Sequence, residues 1–273
     1  MLYNLRGFYA PLLCKRRTFH RRSCWLWVTK LVCIIHFLMP CYGQSMPVKI
    51  ELAATDWCPY SCEQDPKEKG LVVDYLQYIL QQHGHSLHVA FFPFSRAVQE
   101  VNNGNKFGLL TAVPAEAPNL LFTQQAVMTY QMCFYAKQNT AWQYMGRDSL
   151  KKIVLGGISG YGYGEPVDSF VNDASNKNVV QLAGEHSLGR LIALVDKQRI
   201  DVFIADINVV QWQLRSSTSR PVKEVGCLAT NPFYVAVSPK LAWASAFAAL
   251  LDDAFLQAAN IEWLHQHKLK HFQ

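Results

Sequence analysis

From residue 48 onward, short extended-looking apolar runs alternate with stretches in which apolar residues recur every three or four positions. Residues 48–54 read as a strand and 56–70 as a loop. Leu71, Val72, Tyr75, Leu76, Ile79 and Leu80 then share one face of a helix that Gly84 stops. Strands are predicted at 87–92 and 108–113 with a helix at 95–102 between them, and 120–123 and a longer run at 129–137 are again β-like. The second half repeats this logic: strand 153–158, a glycine-rich stretch at 160–164, a helix from Pro166, strand 179–182, helix 187–197, strand 201–205 and helix 207–215. Strands at 222–227 and 233–237 precede one long helical stretch from 242 to about 265. Alternating β and α units predict an α/β architecture with mostly parallel sheets. Two similar halves, a long strand between them and a final return to helix predict two lobes with two crossovers.

The first 43 residues follow a different pattern. Arg6, Lys15, Arg16, Arg17, Arg21, Arg22 and Lys30 are not balanced by any Asp or Glu, and an apolar run at 31–39 follows them. Cys41 and Gly43 then place small residues before Gln44. A basic region, a short apolar core and small residues at the cut describe a secretory signal peptide over 1–43. The run is shorter than the roughly 20 residues of a membrane span, although Trp25-Leu26-Trp27-Val28 upstream leaves an uncleaved anchor as the alternative.

The leader changes the charge balance. The whole chain carries a formal +6, but without those seven cations 19 Lys and Arg face 20 Asp and Glu, a net charge of −1. No basic surplus remains to argue for nucleic acid or an anionic membrane.

Four of the eight cysteines also leave with the leader, and Cys58, Cys62, Cys133 and Cys227 remain. An even number in an exported chain favours disulfides, and four cysteines allow three pairings. Proximity favours Cys58–Cys62, which leaves Cys133–Cys227. Asp56-Trp57-Cys58-Pro59-Tyr60-Ser61-Cys62 is one residue longer than a Cys-Pro-Tyr-Cys redox motif. A redox thiol needs a low pKa, usually at a helix N-terminus, whereas here Glu63, Gln64, Asp65 and Pro66 continue a loop. A lone Cys-x3-Cys lacks the second ligand pair that zinc requires.

Other chemistry is sparse. His83, His85 and His88 span a helix end and a strand start, so they need not converge, while His267 and His271 could share a helical face. Both groups read as solvated ends, and no metal or cofactor is expected. Gly160-Tyr161-Gly162-Tyr163-Gly164 precedes a helix, where backbone N–H groups could meet an anion, but no Lys-Ser/Thr follows to make a nucleotide loop. No nucleophile elbow or recognisable carboxylate pair is present.

Asp56-Trp57-x-Pro59-Tyr60 followed by Gly70-Leu71-Val72-Val73-Asp74 resembles the opening of periplasmic solute-binding proteins of the amino-acid-binding type, solute-binding family 3. Lys197 to Asp206 resembles that family's stretch from second-lobe helix to strand, and Phe233 to Pro239 its return strand. The resemblance covers roughly 48–270. It implies a two-lobed α/β periplasmic-binding-protein fold with two hinge-crossing strands and a central ligand cleft. Lobe 1 would comprise 46–129 plus 232–273 and lobe 2 130–231, with the strands carrying Cys133 and Cys227 side by side near the hinge. Cys58 and Cys62 would staple the loop that presents Trp57 and Tyr60 to the cleft.

The family's carboxylate clamp, a Thr with Arg five residues later, is matched at Thr111 but falls on Glu116. Asp206 matches a carboxylate that takes a ligand amino group, or it caps the helix from Ile207. Arg96 could replace the clamp, or it pairs with Glu100 at i+4. Tyr161 lies in the family's second-lobe ligand loop. The implied ligand set is therefore Asp56, Trp57, Tyr60, Arg96, Thr111, Tyr161 and Asp206. The resemblance implies a monomeric periplasmic protein that binds a small molecule for an inner-membrane transporter or sensor, without catalysis. The alternatives are a dehydratase-like enzyme on the same fold and a thiol oxidoreductase using Cys58 and Cys62.

Overall fold

The first sheet grows around β1 (Lys49–Ala54), whose Ile50, Leu52, Ala53 and Ala54 are buried. In this computed structural model the described residues are 49–64, 69–184, 186–215 and 221–272; the leader expected over 1–43 lies outside them. Parallel β2 (Ser86–Phe91) and β3 (Gly108–Ala112) flank β1. Helices α1 (Leu71–Gln82) and α2 (Phe94–Asn103) link these strands. The apolar face read from the sequence of α1 is buried from Leu71 to Leu80. Its start requires glycine: Gly70 has φ +103°, and a Cβ there would lie 2.5 Å from the Tyr60 carbonyl oxygen.

Beyond β3 the same sheet adds β11 (Asn231–Val237), which runs antiparallel, with β4 (Leu121–Phe122) and β5 (Met128–Tyr130) paired to it. The second sheet has the order β10 (Val222–Cys227), β6 (Met132–Lys137), β9 (Val202–Asp206), β7 (Leu155–Ile158), β8 (Val179–Leu182). Its β7, β8 and β9 are parallel, β6 runs antiparallel to β9, and β10 runs antiparallel to β6 and so in the direction of the other three. Short helices α3 (Arg147–Leu150) and α4 (Val167–Val171), then α5 (Ser187–Asp196) and α6 (Ile207–Leu214), surround it.

The run expected as one strand over 129–137 is divided at Gln131. Tyr130 pairs with Asn231 in the first sheet, and Met132 pairs with Asp206 in the second. The other connection passes alongside: Leu228 N–H donates to the Met132 carbonyl at 2.8 Å, and Gln131 Nε2 donates to the Leu228 carbonyl at 3.0 Å. Cys133 and Cys227 are disulfide-bonded across this pair of strands.

The long C-terminal helix is also divided, into α7 (Ala244–Phe255) and α8 (Ala258–His271). Gln257 is extended, and Asn260 Nδ2 donates to the Ala254 carbonyl at 2.9 Å, satisfying the end of α7. The bend lets Phe255 and Trp263 both stack on Tyr75, each with ring centroids 5.7 Å away. Periodicity is continuous through the bend, so only this packing reveals it.

The C-terminal histidines also differ from expectation, whereas His83 and His88 are exposed. His271 is buried, with Nε2 3.5 Å from an Asp74 oxygen, and His267 stacks on Trp263 at 3.6 Å. Among the described residues, the group with metal-ligand proximity is Cys133, Cys227 and Glu224, and its two sulfurs are already bonded to each other.

Candidate functional site

The loop after β1 carries the first wall. Trp57 N–H donates to the Ser61 carbonyl at 2.7 Å and Tyr60 N–H to the Trp57 carbonyl at 2.9 Å, closing a tight turn. The Cys58–Cys62 disulfide spans the same turn. Trp57 is half-buried and stacks on Tyr60 at 4.3 Å; its edge contacts reach Phe233 at 5.6 Å and Tyr130 at 6.3 Å. Tyr60, expected to face the cleft, is instead fully buried. Its hydroxyl donates to Asp206 Oδ1 at 3.3 Å and accepts from Asn208 Nδ2 at 2.7 Å. The turn leaves one aromatic half-buried and sends the other inward to Asp206 and Asn208.

Asp206 is equally enclosed. It caps α6 by accepting the N–H groups of Asn208 at 2.9 Å and Val209 at 3.1 Å. Its other oxygen accepts Gln131 N–H at 3.0 Å. Burial pushes its pKa up to about 6 against the pull of these hydrogen bonds. The capping role expected as one of two readings is therefore realised, and the same carboxylate ties the crossing strand to the Tyr60 loop.

Glu116 was not in the expected ligand set, yet it occupies the centre of the site. Its Oε2 accepts Val113 N–H at 3.0 Å just after β3, and its Oε1 accepts Gly162 N–H at 2.7 Å from the glycine-rich loop. Desolvation raises its pKa to about 7, opposed by the two N–H donors and assisted by the nearby Asp168 charge. A Cβ at position 162 would come within 3.0 Å of Glu116 Cγ, so glycine permits the approach. Asp168 accepts the next two N–H groups, of Tyr163 at 2.8 Å and Gly164 at 2.9 Å. The glycine-rich loop thus spends three successive donors on internal carboxylates, which removes the expected anion-binding capacity.

Two spaces adjoin these groups. A small cavity of about 40 Å³ is bounded by Trp57, Phe94, Thr111, Glu116, Tyr130, Tyr161 and Phe233 among others. A larger cleft of about 860 Å³ is lined by Asp56, Trp57, Phe91 to Ser95, Tyr161, Asp206, Trp212 and Arg215 among others. Tyr161 and Trp57 border both, and Phe94 meets Tyr161 edge-on at 5.6 Å. Burial raises the Tyr161 pKa to about 12, so the ring is neutral at ordinary pH. Thr111 is buried at the cavity wall, and Asp56 is exposed, accepting Glu63 N–H at 3.1 Å. Arg96 borders neither space: it is exposed and paired with Glu100 and Gln99, as its helical spacing allowed.

Only the chain's return through 46 residues brings Glu116 to Gly162. A signal did exist in the sequence, since Glu stood where an Arg was expected.

Two α/β lobes joined by two crossing strands around a central cleft define the type II periplasmic-binding-protein fold. No protein-family model matches the sequence, and no curated protein matches it. Solved structures do resemble it. An ancestral arginine-binding protein bound to arginine superposes with a TM-score of 0.70 at 16% identity, over 84% of this chain and 100% of its own. A histidine kinase sensor domain with similarity to periplasmic binding proteins gives 0.68 at 14% identity, over 82% and 95%. An amino acid ABC transporter substrate-binding protein from Streptococcus pneumoniae, bound to L-arginine, gives 0.66 at 14% identity, over 82% and 94%. At these identities the likeness establishes the fold.

Proposed function

We propose that this chain is an exported, non-catalytic, monomeric solute-binding protein. It would capture a small polar or amino-acid-like ligand between lobes 46–129 plus 232–273 and 130–231, and deliver it to an inner-membrane transporter or report it to a sensor. The observation that carries the reading is the pair of contacts between the two sides, Glu116 to Gly162 and Tyr60 to Asp206, around an aromatic-lined space. A cleft bridged by a few polar contacts can open and reclose about two crossing strands, the hinge-type motion of ligand capture. The neighbouring structures include both a transporter component and a sensor domain, so both outlets stay in the proposal. The leader expected over 1–43 would send the mature chain to the periplasm.

Within this reading Trp57, Thr111 and Tyr161 touch the ligand directly, Asp56 borders the outer cleft, and Tyr60 and Asp206 hold the closed form. Arg96 is proposed only as a surface partner of Glu100. A metabolite library screened by thermal shift tests the proposal, because a ligand that binds only the folded state raises the melting temperature. A hit should change tryptophan emission and compact the protein in solution scattering. A complete absence of hits, or turnover of a hit compound, would sink it.

A further inference from the structure

The small cavity has an unusual balance of groups. Trp57, Phe94, Tyr130, Tyr161 and Phe233 supply most of its wall, and Glu116 is its one charged group among the described residues. The rings are close enough to act on one guest: Trp57 lies 5.6 Å from Phe233 and 6.3 Å from Tyr130, and Phe94 lies 5.6 Å from Tyr161. A cation within about 6 Å of an aromatic centroid is attracted by the ring quadrupole. A single water needs about 10–15 Å³ of such space, so the cavity of about 40 Å³ admits a compact head group and not a whole metabolite. The rest of a ligand would extend into the adjoining cleft of about 860 Å³, with which it shares Trp57, Phe94 and Tyr161.

The same geometry disfavours a carboxylate. The backbone donors at the cavity edge, Val113 N–H and Gly162 N–H, are both bonded to Glu116. Among the described residues no Lys or Arg is in the lining, and Arg96 is committed to Glu100 on the surface. A ligand carboxylate beside Glu116 would therefore meet a like charge, with the two adjacent N–H groups already bonded. An amine or guanidine head would find the opposite: each Glu116 oxygen keeps lone-pair capacity beyond its one backbone bond.

Resting on the solute-binding reading above, we propose that this cavity is a subsite for the cationic head of an organic amine or guanidine, held by Glu116 within the aromatic rings, and that it excludes the carboxylate end of an amino acid. Arginine could enter only guanidinium first, with its carboxylate in the outer cleft. The Glu116 pKa of about 7 fits this role. A bound cation favours the ionised carboxylate, so affinity should rise as pH increases from about 5.5 to 7.5.

The test is calorimetric titration at pH 7.5 with agmatine, arginine and glutamine as probes, on the wild-type chain and on Glu116→Gln and Trp57→Leu. Agmatine should bind at least as tightly as arginine and at least tenfold more tightly than glutamine. Each variant should weaken agmatine tenfold or more. Because glutamine at 116 can serve only one of the two backbone donors, circular dichroism confirms that the variant is folded, and the three-probe comparison on wild type stands without it. Glutamine binding as well as agmatine would overturn the inference and leave the solute-binding reading standing. Wild-type agmatine affinity in folded Glu116→Gln would do the same. Failure of both cations to bind overturns the inference as well; a hit elsewhere in the metabolite screen then preserves the wider reading, and a blank screen removes both.

Discussion

The Tyr60 hydroxyl donates to Asp206 Oδ1 at 3.3 Å, joining residues 146 positions apart in the chain. Asp206 also caps α6 and receives Gln131 N–H from the crossing strand, so one buried carboxylate gathers the Tyr60 loop, a helix start and the hinge. Tyr60→Phe retains the ring contacts with Trp57, Phe233 and Phe272 while removing one of the donors to Asp206 and the hydroxyl that accepts from Asn208 Nδ2. The expected loss is about 1–3 kcal/mol, the span from a neutral hydrogen bond to one made with a carboxylate. Urea unfolding measures it, and scattering should show a larger radius for the unliganded variant. Unchanged stability and size would mean that the contact does not hold the cleft closed.

Stability should fall as pH rises from about 4.5 to 7. Glu116 is raised from 4.5 to about 7 in the folded chain and Asp206 from 3.8 to about 6, chiefly by burial. A raised carboxyl pKa means that the folded state holds its proton while the unfolded chain has released it. The folded state is favoured below the unfolded value, and that advantage is lost as pH climbs through the folded value. For Glu116 the change is on the order of 3 kcal/mol. The groups acting on Glu116 are Asp168 and the Gly162 and Val113 N–H groups, with neutral Tyr130, Tyr161 and Tyr163 nearby. Urea midpoints at pH 5.0, 6.0 and 7.5 should decline in that order, and a rising series contradicts the prediction. Below about pH 4, half-buried Glu51 and exposed Asp148 and Asp173, whose pKa values are lowered by Lys or Ser partners, pull the other way.

Gly162→Ala should open the cleft without unfolding the lobes. The added methyl would sit 3.0 Å from Glu116 Cγ and 3.2 Å from Oε1, forcing apart the groups that bond across the cleft. Overpacking of this kind costs about 1–3 kcal/mol. Here relief is available through hinge opening. Scattering should report an expanded unliganded protein with near-normal circular dichroism. A compact variant of normal stability would show that Glu116 can move aside freely.

The two disulfides should differ in their contribution. Cys133–Cys227 closes a loop with sequence separation 94, against 4 for Cys58–Cys62. Chain entropy assigns about 4–5 kcal/mol to the first and roughly 2 kcal/mol to the second. Replacing each pair with alanine and comparing urea midpoints checks the order. Peptide mapping without reductant should recover both pairings. A readily reduced Cys58–Cys62 bond with disulfide-exchange activity would revive the oxidoreductase alternative.

Element positions were legible because their causes are local. A helix such as α1 announces its buried face within 12 residues, and β3 reads as a buried strand from Gly108–Ala112 alone. The motif order around Trp57, Gly70 and Asp206 was also enough to anticipate the two-lobed fold, which depends on the sequence of such elements and not on any single contact. Asp206 and Arg96 each had a local alternative, capping and i+4 pairing, and those local interactions are present in the folded chain. The break between α7 and α8, the inward turn of Tyr60 and the meeting of Glu116 with Gly162 were decided by tertiary structure. Each depends on a partner distant in sequence: Tyr75 for the helix break, Asp206 for Tyr60, and Gly162 of the glycine-rich loop for Glu116. The sequence by itself determined the strands, helices and their order through short-range periodicity. Which side chains close the cleft, and the charge at its floor, followed only from bringing distant segments within hydrogen-bonding range, where burial sets both partner and pKa.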